Sequence, residues 1–261
     1  MGEPINQPAL KRGQTVEIIG PPGIGKSKLF WALSKKWTPR KNWIYDDMLL
    51  APKKPGILKP VQWINYQYRL YSGKNLTKSL SNDFGIRFIQ NNQALADFCW
   101  KVLTENPQHN SLESRYRHAY FIFVNFCGYQ AIAEKGSHKP CLIEEGLFQK
   151  SFLIQEDRQM MEDLVEEYLS VLPLPKAMVG LDSADTELIL KRIKGRKKII
   201  PSHNNKDEAG LRKDIENWQY LVQLMLDKLE KKNVLVYKID GGKPLEEKVA
   251  ILEPILQSLN E

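Results

Sequence analysis

Residues 16–27, Val-Glu-Ile-Ile-Gly-Pro-Pro-Gly-Ile-Gly-Lys-Ser, constrain the fold more than any other part of the chain. A short apolar run leads into a turn rich in glycine and proline, and the next segment, residues 28–33, continues as a helix. Gly20, Gly25, Lys26 and Ser27 satisfy the pattern G-x-x-x-x-G-K-[ST] in full, in the strand, turn and helix setting that the pattern requires. These residue types have a physical reason. Glycines let the backbone curl until successive N–H groups point inward at phosphate oxygens. The helix after the turn adds the positive end of its dipole at the same place. Lys26 brings a point charge for the β- and γ-phosphates, and Ser27 a hydroxyl for Mg²⁺. The expected nucleotide-binding set is Pro22, Gly23, Ile24, Gly25, Lys26, Ser27 and Lys28.

Bulk properties narrow the classes that can carry such a loop. The chain has 261 residues, 42% of them hydrophobic, enough for a large core. No apolar run approaches the roughly 18 residues of a membrane span; Ala119-Tyr120-Phe121-Ile122-Phe123-Val124 is far too short. Residues 1–13 are polar and lack the apolar centre of a signal peptide. Cys99, Cys127 and Cys141 are far apart and form no CxxC pair, which fits buried thiols in a reducing compartment. The expected location is therefore cytoplasmic, with no membrane partner. The net charge of +7 and isoelectric point near 9.1 suit either nucleic acid or a phosphate-rich small molecule. The phosphate loop favours the second, and no basic stripe interleaved with aromatics argues for RNA.

Along the chain, residues 1–10 read as a loose leader and residues 15–19 as the first strand. A helix over 26–37 stops at Thr38-Pro39. Residues 42–47 read as a second strand ending in Asp46 and Asp47, acids at the sheet edge where α/β folds bind ligands. Prolines break residues 51–60, and short helices come next, residues 93–103 the clearest. This region is expected to cap the sheet and hold the acceptor, with Arg69 and Arg87 facing a substrate anion. A long helix spans 112–134, and Arg115 near its start sits where a cation is unfavourable without an anionic partner. A third strand over 138–144 ends in Glu144-Glu145-Gly146. A carboxylate there can hold a metal-bound water or take a proton from an acceptor hydroxyl. Glu145 is assigned to the acceptor and Glu144 to the metal.

Residues 148–172 read mostly as amphipathic helix, 176–181 as a fourth strand, and Asp182 or Ser183 as the cap of a helix over 186–193. Six of the nine residues from Leu190 to Lys198 are basic. A basic helix, a polar loop and a helix over 211–231 suit a lid that brings Arg192 and Arg196, then Arg212, to the charge on a transferring phosphoryl group. A fifth strand over 233–239, a turn at Asp240-Gly241-Gly242-Lys243-Pro244 and a closing helix over 245–259 complete the chain. The β/α alternation runs throughout, so one α/β domain is expected over residues 1–261, with a helical insertion over 51–112 and a lid over 192–212.

With those residues in view, the chain resembles the P-loop nucleoside and nucleotide kinases, thymidylate kinase-like proteins most of all. The resemblance rests on the phosphate loop, the Ile143-Glu144-Glu145-Gly146 strand end, the Leu181-Asp182 strand, the basic helix from Leu190 to Arg196 and the Ile239-Asp240-Gly241 turn. It implies a three-layer αβα sandwich around a parallel five-stranded sheet of order 2-3-1-4-5. It implies ATP and Mg²⁺ as cofactors, and transfer of the γ-phosphoryl group to a small-molecule acceptor. It places Glu145 beside the acceptor, Arg192 and Arg196 in the lid, and Asp240 and Gly241 against the adenine. Asp46, Arg87 and Arg115 are the expected substrate-binding residues; a homodimer is left open. The chain departs from the resemblance in carrying Glu-Glu-Gly where thymidylate kinases carry Asp-Arg, and in its segment over 51–112. Those departures admit other acceptors, such as a sugar, an antibiotic or another metabolite.

Other classes compete. A nucleotide-dependent switch or motor would turn over ATP without an acceptor. Asn205-Lys206-Asp207-Glu208 approaches the guanine-reading Asn-Lys-x-Asp pattern but ends in Glu. A transferase with a non-nucleotide-triphosphate donor would not call for the complete Gly-Lys-Ser, and a nucleic-acid kinase would show steep salt dependence of oligonucleotide binding.

Overall fold

The five residues of β1 (Thr15–Ile19) are all buried, because this strand lies at the centre of a parallel sheet covered on both faces. The computed structural model describes residues 13–46, 59–71, 80–105, 111–154, 158–196 and 206–259. The leader, Asp47, residues 51–58 and residues 197–205 lie outside the described residues, as does the side chain of Arg69.

In chain order, β1 is followed by α1 (Lys26–Lys35), β2 (Ile44–Tyr45), α2 (Pro60–Tyr71), α3 (Asn82–Asn91), α4 (Gln93–Glu105) and α5 (Leu112–Lys135). Then come β3 (Cys141–Ile143), a 3₁₀ helix (Phe148–Ile154), α6 (Arg158–Val171), β4 (Ala177–Asp182), α7 (Thr186–Lys194), α8 (Glu208–Lys231), β5 (Leu235–Asp240) and α9 (Leu245–Ser258). The strands lie in the order β2-β3-β1-β4-β5, with each observed pair parallel. The sheet order and fold class expected from the resemblance are therefore those observed.

Pleating sorts the side chains of β1 between two cores. Val16 and Ile18 join Leu29, Phe30 and Leu33 of α1 and Val249, Leu252 and Leu256 of α9. Ile19 joins the opposite core, built from α4, α5, the 3₁₀ helix, α6 and part of α8. Glu17 shares that second face, so a carboxylate is carried into apolar surroundings. The three cysteines are buried and free. Among the described residues, no helix is long and apolar enough to cross a membrane.

Several local expectations are corrected. The predicted second strand shrinks to two residues, with Asp46 just past it. The helix expected over 148–172 is two pieces, a 3₁₀ helix and α6, because the first piece bends over the end of β1. Asp185 caps α7 by accepting a hydrogen bond from Leu188 N, the role assigned to Asp182 or Ser183. Helix α8 starts at Glu208, capped by Asp207, a turn earlier than expected.

Candidate phosphate-binding site

The sheet changes direction of winding at β1, between β3 and β4, and the loop after β1 opens onto the crevice that such a reversal creates. Gly23 and Gly25 have φ of 91° and 107°, left-handed values that other residues rarely adopt. Gly25 occupies the N-cap of α1 with no side-chain cap, so the first N–H groups of that helix have no partner within it. Lys26 is 7% exposed. Its ammonium curls back onto the loop, donating to Gly20 O at 2.7 Å and to Pro21 O at 3.2 Å. Burial draws its pKa down to about 8; the charges of Glu145 and Glu144 pull the other way, while Arg196 and Lys150 add to the depression.

A cavity of about 870 Å³ opens beside the loop. Pro22, Gly23, Ile24, Gly25, Lys26, Ser27 and Lys28 form one wall. Arg192, Gly195 and Arg196, from the end of α7, form the second. The third is the turn after β5 with the start of α9: Gly242, Lys243, Pro244, Leu245 and Lys248. Glu145 and Gln149 complete it from the turn after β3. Six of these side chains are cationic, and Glu145 is the one carboxylate among the described lining residues.

Arg192 and Gln149 lock the walls to one another, and Lys248 braces the third from within. Arg192 Nη1 donates to Ile24 O of the loop at 3.1 Å and to Gly241 O at 3.0 Å. The Gln149 amide grips Gly20 from both sides, accepting from its N–H and donating to its carbonyl, each at 3.3 Å. Lys248 Nζ donates to Gly241 O at 3.0 Å.

Beneath the turn that carries Glu145 lies a buried acid. Glu17 is 1% exposed and accepts from Tyr129 Oη and from Phe148 N, the latter at 3.2 Å. Tyr129 Oη in turn accepts from Leu147 N at 3.0 Å, and Tyr168 Oη donates to Leu147 O at 2.8 Å. Desolvation lifts the Glu17 pKa to about 7, with both hydrogen bonds opposing the rise. Gly146 is obligatory here: a Cβ on it would fall 2.1 Å from Glu17 Oε2 and 2.4 Å from Tyr129 Oη.

The structure thus brings together most of the residues singled out in the sequence. All seven loop residues, Glu145, Arg192 and Arg196 line one cavity. Glu144 is half-buried and does not line it, although its charge reaches Lys26. Gly241 is buried behind the wall, and Asp240 faces a second cavity of about 470 Å³ together with Asp182 and Asp185. Arg87 is held by Glu134 through two hydrogen bonds at 2.8 and 3.1 Å. Arg115 and Asp46 are half-buried outside the cavity. Arg212 is tied to Glu187 and Glu208 on the surface.

Gln149, Lys150, Lys248, Glu17 and Tyr129 went unpredicted. Burial and the nearby Glu145 charge act in opposite directions on Lys150, with a net lowering of its pKa, and its ammonium sits 5.7 Å from the centre of the Phe121 ring. Two of the five carry a sequence signal. Glu17 interrupts an apolar strand, and Lys248 stands on the apolar stripe of its helix with Leu245, Val249, Leu252 and Leu256. Gln149 carries none.

No protein-family model matches the chain, and no curated protein matches its sequence. Among solved structures, the chain is similar to a deoxyadenosine kinase from M. mycoides, with 13% identity, 94% of this chain and 99% of that one covered, and a TM-score of 0.45. It is also similar to a gluconokinase from Sinorhizobium meliloti 1021, with 15% identity, 96% and 95% covered, and a TM-score of 0.33. At such values neither likeness carries an argument, and the fold and the chemistry of the site rest on the chain's own geometry.

Proposed function

We propose that this chain is a Mg·ATP-dependent phosphotransferase acting on a small-molecule acceptor. The observation that carries the reading is one cavity lined by the glycine-rich loop, by Arg192 of α7 and Arg196 just past its end, and by one carboxylate. Its volume is that of a small-molecule site. Its cation excess suits a polyphosphate, whose charge would otherwise repel any acidic wall.

The residues present fit that donor. The left-handed glycines turn the loop's N–H groups inward, and the uncapped start of α1 adds unpaired donors. Ser27 is exposed to the cavity and would serve as a metal ligand, with phosphate oxygens and water filling the remaining positions, as suits Mg²⁺. Bound Mg·ATP would supply the electrophilic phosphorus and a counter-charge to its oxygens.

The chain's own groups then divide the work. Lys26 leaves the Gly20 and Pro21 carbonyls for phosphate oxygens, trading neutral acceptors for charged ones. With a pKa near 8 its ammonium remains mostly protonated at neutral pH, so the charge is available. Arg196, exposed at the end of α7, neutralises charge that develops on the moving group, while Arg192 holds the loop in shape and turns its remaining donors to the phosphates. Glu145 accepts the proton of an acceptor hydroxyl, or orients the acceptor where that is itself a phosphate ester. Gln149 keeps the turn of Glu145 in register with the loop.

Calorimetric titration of the full chain with Mg·ATP, beside Lys26→Met, tests the donor. Absence of heat with the wild-type protein would end the proposal. A screen of nucleosides, nucleotides, sugars and aminoglycosides for Mg·ATP-dependent phosphorylation tests the acceptor. ATP hydrolysis unaffected by every acceptor would favour a switch or motor.

A further inference from the structure

We propose that Lys248, on the closing helix α9, is a phosphate-binding residue of the donor site, approaching the polyphosphate from the side opposite Lys26. The inference rests on the phosphotransferase reading and assigns a residue that the phosphate-loop pattern does not contain.

Four observations carry it. Lys248 is 4% exposed and lines the cavity beside the loop. Its ammonium lies 3.7 Å from where a Cβ on Gly25 would sit, so it stands against the left-handed glycine at the start of α1. Among the described residues its one hydrogen-bond acceptor is Gly241 O, and Arg192 Nη1 donates to that same oxygen. One carbonyl therefore serves two cations, and an ammonium with three donors uses one. Finally, its charged neighbours are mostly of its own sign. Desolvation is the largest influence depressing its pKa, Arg192 and Lys28 depress it further, and the exposed Asp240 is the carboxylate that opposes them.

A buried ammonium among cations is an unfavourable arrangement by itself, because buried charges need partners. It becomes favourable once a polyanion enters. The start of α9 borders the same cavity through Pro244 and Leu245; its first turn also carries Glu246 and Glu247, which do not line the cavity. Lys248 and Lys26 then grip the polyphosphate from α9 and from α1, with the loop between them.

The test compares wild-type protein with Lys248→Met and Lys248→Gln by calorimetric titration with Mg·ATP, tripolyphosphate and adenosine. Loss of a charge-assisted contact should raise the dissociation constants of Mg·ATP and tripolyphosphate about 10- to 100-fold and leave that of adenosine unchanged. A lysine that only props up Gly241 would lower the melting temperature with the affinities intact, and that result overturns the proposal. Wild-type protein that binds no Mg·ATP would overturn the phosphotransferase reading instead. Should both variants fail to fold, labelling of wild-type lysines with pyridoxal phosphate and borohydride, mapped by mass spectrometry, decides: Lys248 must be modified, and Mg·ATP must protect it. Modification that Mg·ATP does not diminish, or its absence, overturns the proposal.

Discussion

Replacing Glu17 by Gln should make the protein more stable at neutral pH, and the gain should vanish in acid. Folding buries this carboxyl completely and lifts its pKa from 4.5 to about 7. Between those values the folded chain holds a proton that the unfolded chain has released, so wild-type stability falls as pH rises. Below pH 4.5 both states are protonated, and Glu17 adds no pH dependence; above about 7 both are ionised, and the loss is complete. The window spans about 2.5 pH units at about 1.4 kcal/mol each, so the loss is about 3 kcal/mol. Gln has the shape of the protonated acid, an acceptor oxygen beside a donor group (an NH₂ in place of the O–H), and does not titrate. The groups facing Glu17 are Tyr129, Tyr168 and Cys141, and burial raises the pKa of each, so they stay neutral across the window. Urea unfolding of both proteins from pH 5 to pH 8 measures the difference, in which the other carboxylates cancel. The gap between Glu17→Gln and wild type should widen by about 1.4 kcal/mol per pH unit and level off above pH 7. A gap that stays constant within ~0.5 kcal/mol would mean that this carboxyl is hydrated, and the buried link between β1 and the Glu145 turn would fall with it.

Gly146→Ala should lose about 1–3 kcal/mol and lower the melting temperature by several degrees, since its methyl group would collide with Glu17 and Tyr129; an unchanged melting temperature would refute that packing. Glu145→Gln should reduce turnover about 100-fold or more at unchanged Mg·ATP affinity, and Glu144→Gln much less, because Glu145 alone of the two lines the cavity; steady-state kinetics with an identified acceptor would show the reverse ranking if the turn is misread. Arg192→Met should weaken both stability and Mg·ATP binding, by about 1–3 kcal/mol for the former, because Ile24 O loses its donor, Gly241 O loses one of its two, and the tie between loop and turn is cut. Arg196→Met, at an exposed position, should leave stability within about 0.5 kcal/mol and reduce turnover; equal melting temperatures for the two variants would contradict the latch assigned to Arg192.

The chain's own order of residues determined the phosphate loop, the class of sheet and the direction in which the carboxylate after β3 would be found. Those features are local. Gly20, Gly25, Lys26 and Ser27 lie within eight positions, and their backbone demands are met by neighbours along the chain. The αL values at Gly23 and Gly25 are of the same kind. The choice between Glu144 and Glu145 was harder, because adjacent residues on a strand face opposite ways, and β3 ends before either of them.

Only the tertiary structure decided what surrounds the loop. Gln149 reaches Gly20 across 129 residues of chain, and Arg192 reaches Ile24 across 168. A hydrophobic pattern tells which face of an element is covered and is silent on what covers it. The sequence therefore marked Arg87 as a free cation, whereas packing of α3 against α5 hands it to Glu134. Packing likewise turns Glu17, a blemish in an apolar strand, into the buried support of the Glu145 turn, and carries Lys248 from an apolar stripe to the wall of the candidate phosphate site. Charge and shape at this site come from segments far apart in sequence, and their meeting is set by how the cores on the two faces of the sheet close.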